Sequence, residues 1–239
     1  MICFLTSSPF LPDENALNPA NGFAKALRAS LPAAPVRAVF VASSPDEAEK
    51  NDYYAGLTRI GFEASGFSFS AFGVLDRRNA DRASEVLADA GLVILAGGHV
   101  PTQNAFFADI DLKALLAGYT GVVIGISAGT MNAAETVYAQ PELEGEALSP
   151  DYRRFLPGLG LTRAMVIPHF DGNLFAELDG LRIYGDVTFP DSHGRRFYLL
   201  PDGSYIRLQD GREELCGEAY AVEDGALRPL CKAGMSIRL

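Results

Sequence analysis

The sequence predicts an α/β protein of three layers, in which a doubly wound, mainly parallel sheet lies between helices and antiparallel hairpins are added at the C-terminal end. Three observations predict it. Short apolar runs alternate with helix-forming stretches through residues 1–135, the pattern of consecutive strand–crossover–strand units. These runs have no polar side, which suits strands covered on both faces. From residue 205 onward, alternating segments are punctuated by Asp-Gly pairs, a hairpin signature.

The elements follow in order. Residues 1–8 (MICFLTSS) form the first strand; the segment has no basic n-region and is too short for a signal core or a membrane span. Residues 9–21 are rich in Pro, Asn and acids and read as a loop. Residues 22–31 carry apolar side chains at helical spacing, and 36–42 (VRAVFVA) make a second buried strand. Ser43-Ser44-Pro45-Asp46-Glu47 offers an N-cap, an early proline and acids to a helix over residues 46–60. Residues 62–75 should hold one strand, 77–90 an exposed helix, and 92–96 (LVILA) a buried strand that runs into Gly97-Gly98-His99. Residues 121–135 (GVVIGISAGTMNAAE) pass from a β-branched run through a glycine-flanked serine into helix-forming sequence. Farther on, 142–151 is acidic and turn-rich, 164–167 (AMVI) is a short strand closed by Pro168-His169, and 197–200 is another, closed by Pro201-Asp202-Gly203.

The 239 residues are most economically one domain, 1–239. Hydrophobic residues at 48% and charged residues at 21% give an ordinary globular balance, which argues against disorder. With 20 Lys plus Arg against 30 Asp plus Glu, the net charge of -10 repels phosphate backbones and anionic lipid, so neither nucleic acid nor a membrane is an expected partner. Cys3, Cys216 and Cys231 are odd in number, far apart and without CxxC spacing. They suggest neither a disulfide framework nor a zinc cluster, and a reducing cytoplasm fits. Three scattered histidines form no HExxH-like pair, so no metal and no cofactor is expected.

Gly125-Ile126-Ser127-Ala128-Gly129 marks the chemistry. A serine between a buried strand and a helix sits on a sharp bend that lifts Oγ clear, while the flanking glycines let strand and helix pass close together. The Ala128 amide opens the helix and would face an anion forming beside the serine. A tightly packed βα turn without chemistry leaves the same pattern, so context decides. Ligand chemistry in such sheets collects at the carboxyl ends of the strands. Gly97-Gly98 and Ser127 both lie at such ends.

A serine hydroxyl needs a base, usually a histidine oriented by a carboxylate. His169 follows a buried strand and is expected at the same sheet edge as Ser127. His99 lies at that edge too, where a substrate contact competes with a role as base, and His193 reads as a solvated turn residue. Position favours His169. Asp202 has a matching address after the strand at 197–200, while Glu142, Asp171 and Glu135 compete for the role of acid. The order Ser, His, Asp differs from that of the α/β-hydrolases.

Four segments in this order, LAGGHVPTQ at 95–103, GISAG with Asn132 at 125–132, IPHF at 167–170 and LLPDGSYI at 199–206, resemble the S51 serine peptidases, the group of aspartyl dipeptidase (peptidase E) and cyanophycinase. The resemblance implies a fold like that of the class I glutamine amidotransferases. It implies Ser127 as nucleophile, His169 as base and Asp202 as orienting acid, in a turn where the family usually carries Glu. Another assignment used for peptidase E takes an acid fifteen residues after the serine, which falls on Glu142. Gly98 and Ala128 are the expected oxyanion donors. Peptidase E-like enzymes read an N-terminal aspartate with an arginine after the histidine; the matching motif is absent here, and Arg182, with Arg195 or Arg196 behind it, is the nearest substitute. The expected activity is serine-type hydrolysis of small peptides, dipeptidase-like, with Asp-X or β-aspartyl peptides as candidate substrates. The expected partners are that peptide and a second copy of the chain. Two rivals stand: a cyanophycinase-like hydrolase of β-Asp-Arg units, and a catalytically silent domain that binds a small molecule or a partner. A glutamine amidotransferase proper would need a cysteine at the elbow, which this chain lacks.

Overall fold

A computed structural model describes residues 1–12 and 14–239; residue 13, inside the expected loop at 9–21, lies outside the described residues. The first half alternates as expected: β1 (Ile2–Thr6), α1 (Phe23–Ser30), β2 (Val36–Val41), α2 (Ala48–Ala64), β3 (Phe69–Leu75), α3 (Ala83–Leu87), β4 (Leu92–Leu95), α4 (Val100–Asp109), α5 (Leu112–Ala117), β5 (Val122–Ile126) and α6 (Ala128–Asn132). The second half is strand-rich: β6 (Thr136–Tyr138), β7 (Phe155–Pro157), β8 (Met165–Ile167), β9 (Glu177–Leu178), β10 (Leu181–Arg182), β11 (Arg196–Leu199), β12 (Tyr205–Gln209), β13 (Arg212–Cys216), β14 (Ala219–Glu223), β15 (Ala226–Cys231) and β16 (Ser236–Arg238).

The central sheet has eight strands in the order β16-β13-β12-β1-β5-β4-β2-β3. β1, β5, β4, β2 and β3 run parallel, in the register Cys3 to Val123 and Val93 to Val123. Side chains of alternate residues on these strands enter opposite cores. Phe4, Phe40, Leu92, Ile94, Val122 and Ile124 pack with Phe23 and Leu27 of α1 and Phe62 of α2. Leu5, Val39, Val93, Leu95 and Val123 pack on the other face with Leu87, Phe106, Leu112 and Leu116 of α3 to α5. Burying each Phe, Leu or Ile contributes about 1.5–3 kcal/mol, which is why runs without a polar side become the middle of the sheet. No helix among the described residues is long and apolar enough to cross a membrane.

Three differences from the sequence reading have physical causes. Residues 77–90 form a 3-10 turn, Arg77–Arg82, followed by the five-residue α3, where one exposed helix is expected. The fully buried Asp76 carboxylate draws the turn around itself, accepting from the Arg78 amide and guanidinium and from Asn51. Helix α2 runs on to Ala64, so the strand expected in 62–75 begins at Phe69. The C-terminal hairpins divide between two sheets. β12 and β13, with β16, extend the central sheet antiparallel beyond β1, whereas β14 and β15 join β11 and β8 in a separate four-stranded sheet. That smaller sheet closes over its own core of Ile167, Phe197, Leu199 and Val222, with Tyr138 stacked on Phe197. The strands that lead to His169 and Asp202 belong to it, and the chain crosses from β11 into β12 through Asp202.

Candidate active site

Ser127 stands between β5 and α6 with φ 50° and ψ -110°, a conformation costly for any residue with a Cβ, on the order of 1–3 kcal/mol. The surrounding backbone holds it there. The Ser127 amide donates to Ser7 O at 2.9 Å, and its carbonyl accepts from Thr130 at 2.9 Å and Met131 at 3.0 Å. A Cβ on Gly125 would lie 2.8–2.9 Å from atoms of Thr130, and one on Gly129 would strike the Leu95 carbonyl. The glycine spacing is therefore a packing requirement of the close strand–helix pass.

His169 follows β8, also in the left-handed region with φ 57°. Its amide donates to Ser7 Oγ at 2.7 Å. Its Nε2 lies 2.9 Å from Ser127 Oγ and its Nδ1 2.8 Å from Asp202 Oδ1. An ionised carboxylate only accepts, so the ring proton belongs on Nδ1 and Nε2 is free to accept from the serine hydroxyl. Asp202 Oδ1 also accepts from Ser7 Oγ at 2.7 Å. Burial pushes the Asp202 carboxyl up, but bonds from His169, Ser7 and the Ser8 amide outweigh it and hold the group below the usual carboxylate range. Its turn is tied to the end of β1 by Gly203 N to Ser8 O at 2.9 Å and Ser7 N to Ser204 O at 3.1 Å.

Ser7 is the residue the sequence reading missed. Fully buried, it receives the His169 amide and gives its own proton to Asp202, so one hydroxyl fixes both. The available signal was its place at the carboxyl end of β1, next to β5 in a parallel sheet.

The Gly98 and Ala128 amides donate to no protein acceptor among the described residues, and Gly98 lines both cavities that flank Ser127. His99 does not reach the serine: its Nε2 lies 2.7 Å from Glu146 Oε1 and its Nδ1 2.7 Å from Thr102 Oγ1. It lines the larger cavity. Glu142 lines both cavities without touching Nδ1 of His169, which Asp202 occupies. Crowding by surrounding protein raises the Glu142 carboxyl above the usual range, opposed by His99, the Val100 amide and His169 and reinforced by Glu146. The residue as a whole is exposed, at the rim of the two cavities.

Arg182 lines neither cavity. It pairs with Asp186 at 2.6 Å. Arg195 lies over the Phe155 ring, 4.5 Å from its centroid, and Arg196 pairs with Glu223 at 2.9 Å. Of the other acids, Glu135 faces Arg163 on a different surface, Asp171 lines the smaller cavity, and His193 is an exposed turn residue as read.

The model of Peptidase family S51 matches residues 3–216. Among solved structures, the crystal structure of a peptidase from an acI-B1 Actinobacterium superposes with TM-score 0.65 at 21% identity, covering 100% of this chain and 96% of that one. A putative peptidase E from Listeria monocytogenes EGD-e superposes with TM-score 0.60 at 15% identity, covering 96% and 98%. At these identities the two likenesses show the fold. No curated protein matches the sequence. With its model spanning nearly the whole chain, the family is established: this protein belongs to peptidase family S51.

Proposed function

We propose that the chain hydrolyses small peptides by acyl transfer through Ser127, with His169 as general base and acid and Asp202 as the carboxylate that orients it. The observation that carries the reading is the run of hydrogen bonds from Ser127 Oγ through His169 to Asp202, 2.9 and 2.8 Å long. His169 Nε2 takes the hydroxyl proton as Oγ attacks the carbonyl carbon, then delivers it to the leaving amine. The developing oxyanion accepts from the unpartnered Gly98 and Ala128 amides, each worth about 3 kcal/mol in such sites. Water, activated by the same imidazole, releases the acyl group and restores the serine.

A second substrate reading has a specific observation in its favour. The smaller cavity beside Ser127 carries Glu142, Asp171 and Glu177 and, among the described residues, no lysine or arginine. That lining suits a basic group better than the side chain of an N-terminal aspartate, and it favours β-Asp-Arg units, in which the acylating aspartyl residue carries arginine on its β-carboxyl, over Asp-X. The test is turnover by wild type and Ser127→Ala on Asp-X, β-aspartyl and β-Asp-Arg peptides, together with fluorophosphonate labelling of the serine. Labelling and turnover confined to the wild type support the reading; wild type no better than Ser127→Ala refutes it.

A further inference from the structure

We propose that Glu142 is a positioning residue that receives the free α-ammonium group of the substrate, so that the residue acylating Ser127 is the first of its peptide. The inference rests on the peptidase reading of Ser127. Two cavities meet at the serine, one of about 390 Å³ and one of about 1110 Å³. Gly98, Ser127, His169 and Glu142 line both. The first three have parts in the attack on the carbonyl. Glu142 has none, because Asp202 already holds Nδ1 of His169.

Among the described residues no side chain donates to Glu142, which lines both cavities. A carboxylate has room for several donors, so it is left with unused acceptor capacity toward the space beside the serine. It is also firmly presented. Glu146 Oε2 accepts from the Glu142 amide at 2.9 Å and the Leu143 amide at 3.0 Å, while Glu146 Oε1 meets His99. A loop braced in this way is preorganised for recognition. This gives His99 and Glu146 a purpose in holding the loop rather than in proton transfer.

The reach of the ligand selects the ammonium. An α-amino nitrogen is two bonds from the acyl carbon of an α-peptide and three in a β-aspartyl one, so it must stay beside the serine, where Glu142 is the acid that lines both cavities. A basic side chain extends away from the serine, toward Asp171 and Glu177, which line the smaller cavity alone. The smaller cavity then receives the first residue and the larger one the leaving portion. A blocked amine loses the charge-assisted bond and leaves the carboxylate unpaired, the arrangement that gives strong rejection of an analogue lacking its polar group.

The experiment compares the best peptide of the panel with its N-acetylated form, in wild type, Glu142→Gln, Glu142→Asp and Asp202→Asn. Two readouts give the free-to-acetylated ratio: kcat/KM, and protection of Ser127 against fluorophosphonate labelling. Wild type should prefer the free amine by roughly 10²-fold or more, and Glu142→Gln should cut that preference about 10-fold or more, chiefly through KM. Glu142→Asp should restore part of it. Glu142→Gln should still label, whereas Asp202→Asn labels slowly. An unchanged ratio in Glu142→Gln refutes the inference while leaving the peptidase reading intact. Labelling lost in Glu142→Gln as in Asp202→Asn also refutes it, by making Glu142 part of the proton-transfer chain. Wild type that neither labels nor hydrolyses overturns the peptidase reading and this inference with it.

Discussion

Asp202→Asn is the substitution that isolates the orienting carboxylate. Asn keeps the shape but carries one acceptor oxygen and an NH2 donor, and Asp202 Oδ1 currently accepts from both Ser7 and His169 Nδ1. If the amide turns its NH2 toward the ring, Nδ1 must accept and the proton moves to Nε2, where it blocks removal of the serine proton. If the oxygen stays, the tautomer survives but the imidazolium formed during attack loses its counter-charge. Two unit charges about 3 Å apart interact by roughly 5 kcal/mol at an effective dielectric constant near 20 and by roughly 1.4 kcal/mol in bulk water. The pair is half open, with side-chain exposures of 50% for His169 and 40% for Asp202, so an intermediate value applies. A loss of about 3 kcal/mol corresponds to roughly 10²-fold in kcat, and the wrong tautomer would add to it. The assay is steady-state hydrolysis with fluorophosphonate labelling in parallel, above about pH 5, where the depressed Asp202 carboxyl is fully ionised in wild type. A change below about threefold in both, with the fold intact by circular dichroism, refutes the reasoning that Asp202 orients His169.

Further outcomes follow from packing and charge. Asp76→Ala strands the Arg78 and Asn51 donors around a fully buried site and should cost about 3–5 kcal/mol in urea unfolding. Burial raises the Asp76 carboxyl, but Arg78 and Asn51 hold it below its ordinary value, so its stabilising part is present above about pH 4 and fades as pH falls through the depressed value; the gap between wild type and Asp76→Asn should narrow there. Gly129→Ala drives a methyl into the Leu95 carbonyl and should lower stability by about 1–3 kcal/mol, measured by thermal melting. Glu142→Gln removes a carboxyl whose value is raised by folding, a penalty absent at low pH that appears as pH rises through the raised value; the variant should melt above wild type near neutral pH and with it below about pH 4. Burial pushes the Cys3 thiol up to about 12, so near pH 8 a thiol reagent should modify it in the native protein far more slowly than after denaturation.

Much of the fold was legible because burial on both faces leaves a one-dimensional trace. The β-branched runs at 36–41, 92–95 and 122–126 contain a single polar side chain, Arg37 near the start of the first, and each became a parallel strand of the central sheet. Asp210-Gly211 and Asp224-Gly225 were legible for another reason: both residues of each pair have positive φ, which few residue types adopt cheaply. Which sheet a strand joins left no such trace. The run at 165–167 reads like that at 92–95, yet it pairs with Arg196–Leu199 in the smaller sheet, because partnership is decided by long-range packing rather than by local pattern. The helix expected at 77–90 failed for a related reason. Propensity favours a helix there, and a buried carboxylate with several donors outweighs propensity.

The candidate site divides along the same line. Residue types that need special backbone, such as Ser127 between its glycines, announce themselves in the sequence, whereas residues whose part is to hold others do not. Ser7 is an ordinary serine after an ordinary strand, and its importance exists only once β1 lies between β5 and β12. That placement has a mechanical consequence. Ser127 belongs to the central sheet, His169 to the end of the smaller one, and Asp202 to the segment that joins them, so their alignment depends on how the two sheets are docked. Ser7 ties the three at one point: its carbonyl takes the Ser127 amide, its hydroxyl takes the His169 amide, and the same hydroxyl donates to Asp202. A small sliding of one sheet against the other would therefore have to break bonds at a fully buried residue, each worth about 1 kcal/mol and more if left unpaired. The serine at the end of the first strand thus holds fixed the distance between hydroxyl and imidazole on which the proposed chemistry depends.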